Sequence, residues 1–264
     1  MRTVEIKSTS DLILQINSLP NNYIFRGQAD ASWQLQSSLE RVLAKTWSKE
    51  RARHFEDFTF KQFCPKFHLY DKENSKPNSK LAWLSIMQHY GVPTRLLDFS
   101  ESPYIALYFA MESAQISQKK DLSLYALDYN GILEKSIEYI RSKDSDFRET
   151  IDSIQERQDK IFEEIVDRFS YEIIWIGEPA VLNTRLDRQA GSFILSGDRE
   201  KKIEEVLNSK LYSTTQNIKF VIDGSLYDGI FALLRKVNIT SKSIYGDLEG
   251  LARSIKMQMQ IYAI

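Results

Sequence analysis

Residues 87 to 110 read MQHYGVPTRLLDFSESPYIALYFA, the densest run of chemically capable groups in this chain. His89 and Tyr90 close one helical pattern. Gly91 and Pro93 turn the chain, and Thr94, Arg95 and Asp98 fall on a short strand. Ser102 then reads as an N-cap with Pro103 at the first helical position. A helix end, a tight turn and a new helix N-terminus meeting in one place supply backbone N–H groups and positive dipole. The chemistry they offer is anion binding.

Far upstream, YIFRG puts Arg26 at the end of an apolar strand, with Gly27 directly behind it. A cation there needs a partner. One reading is an Arg26–Asp98 ion pair holding two strand ends together, with Gly27 merely turning the chain. The other is a ligand, and the two are compatible. His89 either contacts a ligand or serves the carbonyls at its helix terminus. Thr94 either bonds a ligand or packs as a β-branched strand residue. Tyr90, Phe99, Tyr104 and Tyr108 are either core or a stacking wall. His54 and His68 lie on an apolar helix and read as structural.

These groups must be positioned by regular elements. The pattern predicts strands near 23–27, 95–99, 122–129, 171–177, 190–196 and 218–223, with a further strand-like run, AVLN, at 180–183. Helices are expected over 10–16, across 39–70, at 81–90, from 103, and in the two closing stretches LYDGIFALLRKV and DLEGLARSIKMQMQ. The charged segment 132–169 has isoleucines at helical intervals and reads as a helical insertion outside the central core that touches it along one face. No repeat or linker divides the chain, so a single domain over 1–264 is expected.

Composition excludes several classes. The 264 residues are 42% hydrophobic and 27% charged, with a net charge of -1, so no global basic field favours wholesale nucleic-acid binding. One cysteine, Cys64, permits no intrachain disulfide and no thiolate zinc cluster. Three dispersed histidines do not make a metal site. No serine sits in a nucleophile elbow, and no set of acids is spaced for a nuclease metal. No stretch approaches the roughly 20 apolar residues of a membrane span, and no secretion signal opens the chain. A cytoplasmic protein is expected.

FRGQ, the run QHYGVPTRLLDFSESPYIALYFA, RLDRQAGSFIL and GDLEGLARSI together resemble the FRG domain family, over residues 24 to 254. The order of motifs also resembles, more distantly, the arginine-type ADP-ribosyltransferases. In those proteins a first strand ends in an aromatic, an arginine and a glycine. A second strand carries a hydroxyl motif, and a later one carries the catalytic glutamate. FRG would supply the first, with Asp98-Phe99-Ser100 where the hydroxyl motif lies. Gln189 in RQAGSFILSG stands at or near the glutamate.

The resemblance implies a mixed α+β fold with a curved, mainly antiparallel split sheet flanked by helices. It implies NAD or a related nucleotide as the ligand, with a macromolecular acceptor, protein or nucleic acid. Arg26, Asp98 and Gln189 would be catalytic. Arg26, Gly27, His89, Tyr90, Thr94, Ser100 and Tyr108 would bind the cofactor, with Gly27 lacking a side chain so that the ligand approaches the backbone. The arginine fork would grip a phosphate or ribose. Such domains often serve as bacterial toxins or in phage defence. The departure is Gln189, which can hold a ribose hydroxyl but cannot face an oxocarbenium ion with charge. Either the domain binds with little turnover, as a non-catalytic ligand-sensing or protein-interaction module on the same fold, or another acid serves: Asp187, Asp98 or Glu249.

Overall fold

The computed structural model describes residues 1–71, 76–114, 118–179, 188 and 191–262. Seven strands form one open sheet in the order β1-β7-β4-β2-β3-β6-β5. They are β1 Arg2–Ile6, β2 Tyr23–Gln28, β3 Leu97–Ser100, β4 Leu122–Asp128, β5 Ile174–Gly177, β6 Gly191–Ser196 and β7 Ile218–Ile222. Only β1 and β7 run parallel; every other pair is antiparallel. The expected two halves form one sheet, but the join is narrow. β2 pairs β4 over its six residues, whereas β2 meets β3 at a single pair, Phe25 opposite Ser100. Past that pair the two strands part. The run at 180–183, together with Asp187 and Gln189, lies outside the described residues.

Strand alternation sends neighbouring side chains to opposite faces. In β2 and β4, Ile24, Tyr125 and Leu127 join one apolar core, and Phe25, Leu124 and Ala126 join another. The helices that matter to the site are α1 Thr9–Asn17, α2 Ser38–Leu43, α3 Lys49–Phe63, α4 Lys80–His89 and α5 Pro103–Glu112. α5 begins as its sequence predicts, with Ser102 Oγ accepting from Ile105 N–H and Pro103 in the first turn. Ile105, Ala106, Leu107, Tyr108, Ala110 and Met111 are all buried, so the helix hides most of its surface and packs onto β2. α4 stops where Gly91 takes a positive φ of 81°, a conformation with little penalty for glycine.

The segment after β4 packs one face of its helices into the core. Helices α6 Tyr129–Lys143 and α7 Ile151–Glu156 and a π-helical turn at Phe162–Asp167 bury Ile132, Ile137, Ile140, Ile154, Phe162 and Val166 in the cluster that holds Trp175. Its many charges, such as Glu134, Glu138 and Arg141, occupy the outer face. Among the described residues no helix is long and apolar enough to cross a membrane.

Candidate functional site

The parting of β2 and β3 opens a cavity of about 660 Å3. β2 contributes Arg26 to it, β3 contributes Asp98, α4 ends on it with Gln88 and His89, and α5 walls it with Ala106 and Phe109. The loop after β2 adds Trp33 to the lining, and α2 adds Arg41. Two guanidinium groups therefore line one cleft. Asp98 is the only carboxylate among the described lining residues.

Arg26 bridges the strands where their own hydrogen bonds fail. Its Nη1 donates to the backbone oxygen of Asp98 at 2.6 Å and stands 3.9 Å from the Asp98 carboxylate. Only 20% of the Arg26 side chain is exposed, and its Nε has no hydrogen-bond partner. Burial lowers the guanidinium below its ordinary pKa, Asp98 opposes this, and nearby Arg41 lowers it further. Arginine stays charged through such a shift, so like charges face each other across the cleft. An anion between them relieves that repulsion.

Asp98 is 57% exposed and is held from behind. Gln88 Nε2 donates to its Oδ1 at 2.7 Å, and Thr94 Oγ1 donates to Gln88 Oε1. Thr94 itself is buried and does not line the cavity; it acts through Gln88. Ser100 does line it, and its Oγ accepts from Ser102 N–H at 3.0 Å. His89 lines it as well, with its ring edge-on to Tyr90 at 4.8 Å.

Two expected contacts, Tyr90 and Tyr108, fall elsewhere, and Gly27 serves another purpose. Tyr90 is 68% exposed and does not line the cavity. Tyr108 is buried on another side of α5, where its hydroxyl bonds Glu112 at 2.8 Å and Ser241 at 2.6 Å. Gly27 lines the cleft, but its missing side chain faces α5 and not a ligand: a Cβ there would overlap the Ala106 carbonyl. Glu249 pairs with Arg253 along the closing helix and is not in the cavity wall. Gln88, Arg41 and Trp33 were not singled out by the sequence. Gln88 lies one residue before His89, and its neighbourhood was the only signal.

Arg95, from the same motif, leads to a second cluster. Its Nε lies 3.1 Å from Glu56 Oε2 and its Nη2 contacts Asp167. Lys80 reaches Glu56 at 3.1 Å and Asp167 at 2.8 Å, and Arg199 reaches Glu56 at 3.3 Å and also contacts Asp167. Three cations thus share two carboxylates under α3. Burial alone would raise both acids, but the cations outweigh it and hold both below the ordinary carboxylate range. This cluster ties α3, α4, the approach to β3 and the turn after β6 into one frame behind the cleft.

The FRG domain family model matches residues 21–119. That span contains every described residue lining the cleft except Phe193. No curated protein and no solved structure matches the chain.

Proposed function

We propose that the cleft between β2 and β3 binds NAD or a related nucleotide, and that the domain is an ADP-ribosyltransferase-like enzyme. One observation carries the reading. Arg26 and Arg41 line a cavity of about 660 Å3 in which Asp98 is the only described carboxylate. That volume lies within the range of small-molecule sites, about 300–1,000 Å3. Paired guanidiniums suit phosphate, since each offers a planar fork of donors. Phe109 and the half-exposed Trp33 offer apolar faces for a ring.

Asp98 supplies what a glutamine at position 189 would lack. Transfer from NAD breaks the bond between the nicotinamide nitrogen and ribose C1′, leaving positive charge on the sugar. A fixed carboxylate facing that carbon stabilises the charge. The acceptor then attacks C1′ and loses its proton to solvent. A toxin or phage-defence role is the setting that such chemistry suits.

Thermal unfolding tests the binding. NAD at a hundredfold excess over Kd should stabilise the protein by about 2.7 kcal/mol. Arg26→Lys should remove most of that shift, because an ammonium is a point charge without the two-pronged geometry. Release of free nicotinamide reports turnover. A shift without release would assign the cleft to ligand sensing. No shift with NAD, ADP or ATP on a folded wild type would end the nucleotide reading.

A further inference from the structure

We infer that α3 and the turn before it form a docking surface for a single-stranded nucleic acid, joined to the cleft through Arg41. That a strand docks stands on this surface alone; that it is the macromolecule served by the cleft rests on the transferase reading. The charge of the whole chain conceals the surface. The chain carries 35 basic and 36 acidic residues. Residues 41–66 hold seven of the bases and three of the acids, so the rest of the chain is acidic and the cations gather in one segment. One of the three acids, Glu56, is buried and already engaged by the cations behind the cleft. Only Glu50 and Asp57 remain on the exposed side.

The helix presents two different sides. Ala52 and Glu56 are buried against the body of the protein. On the opposite side Arg51, Phe55 and Phe58 follow one another at steps of four and three, which makes them neighbours on the helix surface. His54 and Lys61 lie beside them, and all five are exposed. Phe55 is 39% exposed and Phe58 50%. Among the described residues, Lys45, Arg51, Arg53 and Lys61 form no ion pair. Two rings one helical turn apart are thus set among cations that no acid of this chain neutralises. The surface connects to the cleft. Arg41 lines the cavity and stands four residues before Lys45, and α2 packs on α3 through Leu39, Leu43 and Ala52.

Unneutralised cations in a row attract a polyanion, and phosphates spaced along one chain satisfy several of them at once. Charge alone would suit a strand, a duplex or an anionic membrane. The phenylalanines discriminate. Bases in a duplex hide their faces in the stack, whereas an unpaired base lays a face on an aromatic ring. A membrane is the poorer fit, because a helix that lies on lipid buries a broad apolar face in it. The other phenylalanines of α3 are turned into the protein: Phe60 packs on the main core, and Phe63 meets the Trp83 ring edge-on. What is left outside is two separated rings and positive charge, the combination that holds single strands.

Fluorescence anisotropy with short labelled RNA and DNA strands of one unstructured sequence tests this. With about four phosphates engaged, log K should fall against log salt with a slope of about −2.8, so a fourfold rise in salt weakens binding about fiftyfold. Binding of either strand supports the surface, and the tighter of the two identifies the partner. Arg51→Gln, Arg53→Gln and Lys61→Gln made together should flatten the slope to about −0.7. Phe55→Ala with Phe58→Ala should keep the slope but weaken binding about tenfold or more at every salt concentration. A duplex of the same sequence should bind less tightly and ignore the phenylalanine change. All five positions are exposed, and thermal unfolding without ligand shows whether each variant folds. Should one fail, the salt slope and the duplex comparison on wild type decide. Strand binding that both variants keep unchanged overturns the inference. So does an NAD shift with no strand bound at low salt, which leaves the nucleotide cleft standing and gives the exposed rings to a protein or, if phosphatidylserine vesicles bind, to a membrane. Strands bound with the expected slope, and no shift with NAD, ADP or ATP, keep the docking surface and end the transferase reading alone.

Discussion

Gly27→Ala should destabilise the protein by more than about 3 kcal/mol, beyond ordinary overpacking of a core, which costs ~1–3 kcal/mol. A Cβ at this position would overlap the carbonyl oxygen of Ala106, sit 2.8 Å from its carbon and lie 2.9 Å from Ala110 Cβ. The first two atoms are helix backbone in the interior of α5, most of whose residues are buried. They have no rotamer to change. Relief requires the helix to lift off β2, and that exposes the apolar residues between them. Urea titration against wild type measures the loss. Ala110→Gly should rescue little, because the backbone clash remains. A midpoint within error of wild type would mean that α5 is not seated on β2 as described.

Glu56→Gln is the second large change expected, at about 3–5 kcal/mol. The Glu56 side chain is 2% exposed and is approached by Lys80, Arg95 and Arg199. The neutral amide leaves three cations with Asp167 as their one carboxylate partner in the cluster. The same cluster sets an acid limit. Both acids titrate lower in the fold than in the unfolded chain. Their contribution is complete above the unfolded values near pH 4 and is lost as pH falls through the folded ones. Wild type should therefore lose melting temperature progressively below about pH 4. Glu56→Gln should start lower and fall less steeply. Parallel curves from pH 7 to pH 2 would rule out this role for the cluster.

The sequence carried the strands well where burial on both faces made apolar runs, as in LYAL and IIWI, and the two stretches it singled out, FRG and LLDFS, meet at the cleft. β1 escaped because RTVEI is short and largely exposed along most of its length. In the segment 132–169 the isoleucine spacing marked the face that packs inward, but its charged composition did not show how much of the core it builds. Thr94 looked like a ligand group because it sits in the motif, and Arg95 beside it was read only as a strand residue. The structure turns Arg95 toward Glu56 and makes Thr94 a support for Gln88. Arg41 and Trp33 gave no signal, since an arginine in a short helix and a tryptophan in a loop are unremarkable until the fold puts both in the lining of the cleft. Tyr108 was misread for the opposite reason: helical spacing alone cannot tell the cleft side of α5 from its far side.

The single residue pair joining β2 to β3 also bears on how the chain must assemble. One side of that seam holds β1, β7, β4 and β2, and the other holds β3, β6 and β5. The chain crosses it between β2 and β3, β3 and β4, β4 and β5, and β6 and β7. The backbone is laced back and forth across a boundary that hydrogen bonds barely close. Neither side can complete itself from a contiguous stretch of chain. Loop closure over long separations comes before most of the strand pairing, which slows folding in domains rich in non-local contacts. Residues 21–119 contain β2 and β3 alone, two strands sharing one pair. The stretch that carries the cleft thus owes most of its strand pairing to β4 and β6, from later in the chain.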